Sequence, residues 1–135
     1  MISHKESIDT NVLLRIILGD NPDQRTLALE LLERPATTFY LSSVAIMEVA
    51  FVLEKIIGYT REEISESLTR VLGAYNNIEY DEKTLRNALE FYVNHPSLSF
   101  DDCYLAEETA QKNCEPLWTF DHKLATQSPT AKELK

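Results

Sequence analysis

Short apolar runs alternate with helical patterns along the whole chain. Apolar residues recur at helical spacing between residues 12 and 18 and again between residues 22 and 32, whereas TTFYL, residues 37–41, has the β-branched and aromatic content of a strand. Further short strands are predicted at residues 77–80 and in PLWTF, residues 116–120, which has the character of a buried strand. Such alternation is typical of an α/β domain whose strands are mainly parallel.

Local signals mark where the helices begin and end. Asn21 followed by Pro22 is the signature of a helix start, and Thr60 with Glu63 forms the T-x-x-E pattern of a capping box. The other predicted caps are Ser42 or Ser43, Asp81 and Ser99. The predicted stops are Gly19, Pro35, Gly58, Gly73 and Pro96.

The chain has 135 residues, of which 44% are hydrophobic and 26% charged, a size that suits one compact core. We therefore expect a single domain over residues 1–135, with a polar tail from about residue 125 that either frays or adds one short edge strand. No apolar run approaches the length of a membrane span, and the N-terminal MISHKESI is too short and polar for a secretion signal. The expectation is a cytoplasmic location without a membrane partner.

The formal net charge of −9 argues against nucleic-acid binding through a broad basic surface, because phosphate contacts depend on Lys and Arg. An acidic pocket can still bind phosphate through divalent cations, since a bound cation reverses the local sign of the charge. The same net charge suits the docking of a basic partner. A nuclease that uses metal ions is therefore compatible with the composition.

One acid lies within an otherwise apolar helix. In VAIMEVAFVL, residues 44–53, only Glu48 is polar. A desolvated carboxylate needs a cation or a proton. Glu48 therefore either binds a cation or lies on the single solvent-facing side of a mostly buried helix, and the sequence leaves both interpretations open.

Two aspartates follow predicted strands. Asp9 lies in SIDTNVLLR at the end of the first candidate strand, and Asp121 lies in LWTFDHKL at the end of the last. In open parallel sheets the carboxyl ends of the strands border the ligand crevice. An aspartate after a strand also commonly caps the next helix, which is the more ordinary interpretation of either residue taken singly.

Two adjacent acids open the helix predicted from residue 100 to about residue 113. In FDDCYLAEETA, Asp102 shares a helical stripe with the residues of the face predicted to be buried, which are Leu105, Ala106, Thr109 and Ala110. Asp101 falls off that stripe, so we expect it to have only a supporting role at the helix terminus or outside the site. A capping box between Ser99 and Asp102 is the competing interpretation.

The four acids Asp9, Glu48, Asp102 and Asp121 together suggest one acidic site. Oxygen ligands without neighbouring His or Cys clusters match the preference of Mg²⁺ and Mn²⁺. Such ions activate a water molecule and neutralise charge on a transferring phosphate. The acids therefore favour phosphodiester hydrolysis.

With these motifs in view, the sequence resembles the PIN-domain family, and in length and motif order it is most similar to toxin ribonucleases of the VapC type. The resemblance covers nearly the whole chain and rests on four segments in order: IDTNVLLR, SSVAIMEVAFVL, FDDCYLAEETA and LWTFDHKL. It implies a three-layer α/β/α fold around a central, mainly parallel sheet of four or five strands. It also implies Mg²⁺- or Mn²⁺-dependent cleavage of RNA, a homodimer, and a cognate antitoxin protein as partner.

The resemblance implies residue roles as well. The acidic metal-site residues would be Asp9, Glu48, Asp102 and Asp121. The residues that support these acids by hydrogen bonding would be Thr10, Asn11 and Thr119. Independently of the family, Arg15 and Lys123 follow the first and last motifs closely enough to reach a substrate phosphate, although surface solubility is the simpler interpretation of Lys123.

Two features depart from the family pattern. The first strand should be central and strongly apolar, yet HKES, residues 4–7, precedes Ile8, so this strand is either very short or irregular. In the third segment Asp101 stands beside the motif aspartate, whereas family members often carry an acid two residues earlier. This arrangement would alter metal affinity without abolishing it.

Two other functions stay open beside the nuclease. A non-catalytic PIN-like module would bind RNA or protein with its acidic pocket empty or neutralised by Arg, and it would fail to bind Mn²⁺. A phosphoryl-transfer domain with a phosphate-accepting aspartate fits less well. Such hydrolases use a second acid two residues after the first, whereas the sequence reads Asp9, Thr10, Asn11.

Overall fold

The structure is a computed structural model that describes residues 4–135; the first three residues of the N-terminal MISHKESI lie outside this range. The strands in it are β1 (His4–Ser7), β2 (Thr37–Tyr40), β3 (Ile78–Glu79), β4 (Leu117–Thr119) and β5 (Ala131–Glu133). The α-helices are α1 (Thr10–Leu18), α2 (Pro22–Leu32), α3 (Ser43–Phe51), α4 (Arg61–Gly73), α5 (Glu82–Asn94), α6 (Phe100–Gln111) and α7 (His122–Gln127). A π-helix, Val52–Ile57, continues directly from α3.

The strands of residues 4–135 pair in parallel, which confirms the α/β class predicted from the sequence. One sheet has the order β1-β2-β3, and β4 pairs with β5 in a second sheet. The sequence predicted one sheet of four or five strands, whereas the five strands are divided three and two. The chain forms two compact units, the N-terminal unit up to Tyr80 and the C-terminal unit from Asp81 onward.

The first strand of the N-terminal unit is very short, which was one of the two predicted alternatives. It lies at the edge of its sheet, with β2 at the centre, and all four of its side chains are exposed. The expectation of a central first strand is therefore wrong for this sheet. An edge strand with exposed faces tolerates charged residues, which explains how HKES forms regular pairing with β2.

The core of the N-terminal unit is formed by the central strand and the helices around it. Side chains with no exposed surface include Leu13, Phe39, Ile46, Val49, Leu53, Ile64 and Leu68. The predicted caps hold: Asn21 accepts from the backbone of Gln24, and Thr60 and Glu63 form the complete capping box. The helix after β2 ends at Gly58 as predicted, in the left-handed region with φ 91°, but its last turn is a π-helix that the sequence did not indicate.

The C-terminal unit is formed by α5 packed on α6, together with β4, α7 and β5. The edge strand predicted as one option for the tail is confirmed as β5. The short helix α7 begins directly after Asp121, as the capping interpretation of this residue predicts, although its six residues give no clear periodicity of their own. The prediction that β4 is a buried strand is wrong, since Trp118 at its centre is 54% exposed.

None of the helices within residues 4–135 combines the length and apolar character that a membrane span requires.

Candidate active site

Asp9 is the N-cap of α1. Its Oδ1 accepts hydrogen bonds from the backbone N–H groups of Asn11 and Val12, at 3.0 and 3.2 Å. The capping interpretation of Asp9 is therefore correct as local geometry. Both bonds use the same oxygen and Asp9 is exposed, so capping does not compete with binding of a cation at Oδ2.

Glu48 of α3 is joined to the residue that follows Asp9. The hydroxyl of Thr10 lies 2.9 Å from Oε2 of Glu48 and donates to it, and it also lies 3.5 Å from the carbonyl oxygen of Ala45. Glu48 is exposed, which matches one of the two interpretations that the sequence left open, namely that this acid lies on the solvent side of its helix. The bond holds the Glu48 carboxylate beside the start of α1, so one acid of α3 and the N-cap of α1 are linked through Thr10.

A groove of about 310 Å³ lies next to Asp9, between α1 and α2. Most of its lining surface is apolar and includes Leu27 and Leu31, and its polar members are Asp9, Asn11, Arg15 and Gln24. The Arg15 guanidinium lies 3.0 Å from Asp20 and is 23% exposed. Because Asp20 already neutralises Arg15, a phosphate contact from this residue would have to compete with that ion pair.

In the C-terminal unit, Asp102 occupies the first turn of α6. The Ser99 hydroxyl caps this helix and accepts from the backbone N–H of Asp102 at 3.1 Å. Partial burial raises the pKa of the Asp102 carboxyl, a hydrogen bond from the Ser99 side chain lowers it, and the negative charges of Asp121 and Asp101 raise it further. The net direction of the pKa shift is upward, mainly because partial burial disfavours the ionised carboxylate, and the two neighbouring acids add to this effect.

Asp121 is the N-cap of α7. Its Oδ1 accepts from the backbone N–H of Leu124 at 3.1 Å, and its own N–H donates to the Thr119 hydroxyl at 2.9 Å. Thr119 therefore holds the backbone N–H of Asp121, and neither of these two hydrogen bonds joins Thr119 to the Asp121 carboxylate. Lys123, in the first turn of α7, is exposed.

The helical-wheel prediction for α6 holds only in part. Asp102 is half-buried and Asp101 is exposed, as predicted, and Ala106 is buried. Leu105, however, is 43% exposed, so the stripe that contains Asp102 is not the core face of the helix. The buried residues of α6 are Phe100, Cys103, Tyr104 and Ala106. The correct description is that Asp102 lies at the margin of the buried face, where its charge is partly desolvated.

The chemistry of these acids suits a hard divalent cation. In neither unit, over residues 4–135, do three or more His, Cys, Asp or Glu side chains group closely enough to hold a metal ion. Burial chiefly raises the pKa of the Asp102 carboxyl, and the charges of Asp121 and Asp101 add to this; a bound cation would offset both effects. Carboxylate oxygens are the donors that Mg²⁺ and Mn²⁺ prefer.

Aromatic residues beside Asp121 were missed as candidates in the sequence. Trp118 is 54% exposed and Phe120 is 80% exposed. The available signal was the alternation W-T-F directly before the aspartate, which places two aromatic residues at i and i+2. The prediction of a buried strand at this position assigns both aromatic residues to the core, so the alternation does not mark them as candidates.

The match to a protein-family model agrees with the sequence resemblance. The model of the PIN domain family matches residues 7–127, so the chain belongs to the PIN domain family. The chain is also similar to a solved structure described as the crystal structure of VapBC2 from Rickettsia felis bound to a DNA fragment from their promoter. The two chains are 16% identical, the similarity covers 96% of this chain and 97% of that chain, and the TM-score is 0.37. None of the curated proteins matches the sequence.

Proposed function

We propose that the protein is a metal-dependent endoribonuclease of the VapC type, the toxin component of a toxin–antitoxin pair. PIN domains are generally nucleases, and the chain carries an acid at each of the four motif positions of the resemblance. The observation that carries the proposal is the partly buried Asp102, whose pKa is raised beside Asp121 and Asp101. An acid in that environment is typical of a functional site.

The proposed metal ligands are Asp9, Glu48, Asp102 and Asp121. Bound Mg²⁺ or Mn²⁺ would supply an activated water and neutralise charge on the scissile phosphate. Thr10 holds the Glu48 carboxylate in place through the 2.9 Å bond. Helix capping fixes the rotamers of Asp9 and Asp121, because each accepts backbone N–H groups through Oδ1.

Four further residues have proposed roles in substrate binding or in support of the acids. Asn11 lines the groove beside Asp9, and Arg15 would contact a phosphate when released from Asp20. Lys123 is exposed two residues after Asp121 and can approach a phosphate as a point charge. Asp101 adds negative charge near Asp102 and would tune metal affinity without ligating.

The proposed partners follow from the family type and from the charge of the chain. A toxin of this type acts in the cytoplasm, forms a homodimer and is neutralised by an antitoxin protein. The net charge of −9 favours an antitoxin segment that is basic, because opposite charges steer association and fix register. Co-purification with the product of a neighbouring gene, lost at high salt, would support this partner chemistry.

Thr10→Val is expected to lower the rate of RNA cleavage by about tenfold, because residues that orient metal ligands are typically worth ten- to a hundredfold. The substitution keeps the branched shape and removes the hydroxyl that donates to Glu48. Cleavage of a labelled RNA in Mn²⁺ measures the effect. Thr10→Ser should restore most of the rate, whereas a Thr10→Val protein as active as wild type would contradict the orienting role.

Thr26→Val is the matched control. Thr26 lies exposed on α2, and its hydroxyl bonds only to a carbonyl oxygen of its own helix, at Pro22. Its removal should leave the cleavage rate unchanged. A general effect of replacing a threonine hydroxyl on a helix with a methyl group would appear in both variants.

The alternative function is a non-catalytic PIN-like module. Measurements of both metal binding and RNA cleavage distinguish it from the nuclease. The nuclease binds Mn²⁺ and cuts single-stranded RNA only when the ion is present. The module would bind RNA or protein without either property. Cleavage assays in Mn²⁺ and in EDTA, combined with Mn²⁺ titration calorimetry, distinguish the two.

A further inference from the structure

Two exposed aromatic side chains lie immediately before Asp121. Along Leu117, Trp118, Thr119 and Phe120 the side chains alternate between half-buried and exposed, so both aromatic residues project on the exposed side of the chain. Phe120, at 80% exposed, is the most exposed large apolar residue within residues 4–135. Large aromatic rings in water beside a candidate catalytic acid require an explanation other than packing within the unit.

A cation accompanies the tryptophan. Lys132 of β5 is the register partner of Trp118 in β4, and its Nζ lies 5.4 Å from the centroid of the Trp118 ring. This distance is within the range of a cation–π contact. The surface formed by Trp118, Phe120 and Lys132, which we term the aromatic platform, thus combines two exposed rings with one cation.

The geometry points to the aromatic platform as a binding surface for unpaired bases of single-stranded RNA, with the rings of Trp118 and Phe120 stacking on bases and Lys132 contacting the backbone. The inference rests on the proposed function, because it states how the substrate of the same site is held. Exposed aromatic faces combined with basic side chains are the means by which proteins bind single strands, and every base has a face to stack. Bases within a duplex cannot present their faces in this way.

A protein partner fits the platform less well than RNA does. The cation over Trp118 suits phosphate, whereas a symmetric contact between two copies through the platform would bring their two Lys132 side chains, which have the same charge, close together. The position next to Asp121 would also bring a stacked nucleotide's phosphate near this proposed metal ligand. The experiment must also be able to reveal a contact between two copies of this chain.

Trp118 is the single tryptophan of the chain, so its fluorescence reports directly on the platform. The experiment uses full-length Asp102→Asn protein in EDTA, which prevents cleavage, and titrates it with a short single-stranded oligouridine and with a duplex RNA of equal length. Stacking predicts saturable quenching by the single strand and little by the duplex. Phe120→Ala should weaken binding of the single strand by about tenfold to a hundredfold, the range for loss of one stacking ring.

Ile56→Ala is the control, because Ile56 is 67% exposed in the other unit and is also apolar. It should leave RNA affinity unchanged. Anisotropy of a labelled RNA measures affinity independently of Trp118, so that binding elsewhere on the protein would be detected. Unchanged fluorescence on RNA binding, unchanged affinity in Phe120→Ala, or absence of RNA binding would each overturn the platform.

The remaining outcomes separate this inference from the proposed function. Quenching by single-stranded RNA without cleavage by the wild type in Mn²⁺ would refute the nuclease and leave the platform standing. Metal-dependent cleavage that is equally fast in Trp118→Ala and Phe120→Ala would refute the platform and leave the nuclease standing. A contact between two copies would give two results: Trp118 emission would change with protein concentration in the absence of RNA, and size-exclusion chromatography would show a dimer that dissociates in Trp118→Ala. These results together would overturn the RNA assignment.

Discussion

Asp102→Asn is expected to lower the rate of metal-dependent RNA cleavage by at least about a hundredfold, since a bound cation stabilises the transition state by several kcal/mol and each tenfold in rate corresponds to about 1.4 kcal/mol. The substitution keeps the size of the side chain and the Ser99 cap, which accepts from the backbone N–H of residue 102. It removes the charge that the proposed cation requires. Single-turnover cleavage of a labelled RNA in Mn²⁺ gives the rate.

Asp101→Asn is the matched control for this prediction. The two acids are adjacent in the first turn of α6, but Asp101 is exposed and Asp102 is half-buried. We expect Asp101→Asn to keep the rate within about fivefold, the size of a long-range electrostatic effect of about 1 kcal/mol. Equal losses in the two variants would refute the distinction between a metal ligand and a neighbouring charge.

Asp9→Asn is expected to cause a loss of similar size, again at least about a hundredfold. Asn is as good an N-cap as Asp, so the amide oxygen can keep the bonds to Asn11 and Val12 while the charge is lost. The helix should therefore form normally, and circular dichroism should show an unchanged melting temperature within a few degrees. Activity would fail through the metal site and not through folding.

Asp81→Asn provides the control for Asp9. Asp81 is likewise an exposed N-cap, and its Oδ1 accepts from the backbone N–H of Thr84 at 3.2 Å at the start of α5. The same chemical change at this cap should leave cleavage unaffected. If Asp9→Asn were as active as Asp81→Asn, Asp9 would be a helix cap and nothing more.

Capping and metal binding are not alternatives for these acids, and this explains why the sequence could not decide between them. Asp9 and Asp121 both cap a helix through Oδ1. A carboxylate has a second oxygen, so the local signal for a cap neither supports nor excludes a ligand. The surroundings of the residue in the fold separate the two, and for Asp102 these are partial burial first and then the charges of Asp121, 19 positions along the chain, and of Asp101.

Helix starts were predicted well because they are local. The bonds of Asn21 to Gln24 and of Thr60 to Glu63 lie within four residues, so the sequence contains both partners. The edge position of β1 and the exposure of Trp118 depend on which strands pair and on what covers them. Those facts are set by tertiary packing, and neither apolar content nor periodicity encodes them.

Glu48 illustrates the limit most clearly. The sequence offered a buried, cation-bound acid or an exposed one, and the carboxylate is exposed yet held by Thr10 from another helix. The partner lies 38 positions away, beyond the reach of any helical pattern. The pairing became visible only when α1 and α3 were brought together by the fold.

The rate at which the purified wild-type protein cleaves a labelled single-stranded RNA, measured across a titration of Mn²⁺ and again in EDTA, tests the central claim most directly. The account predicts a rate that rises to saturation with the metal and is abolished by EDTA, with recovery when Mn²⁺ or Mg²⁺ is restored. Cleavage at the same rate in EDTA, or no cleavage by folded protein saturated with Mn²⁺, would contradict it.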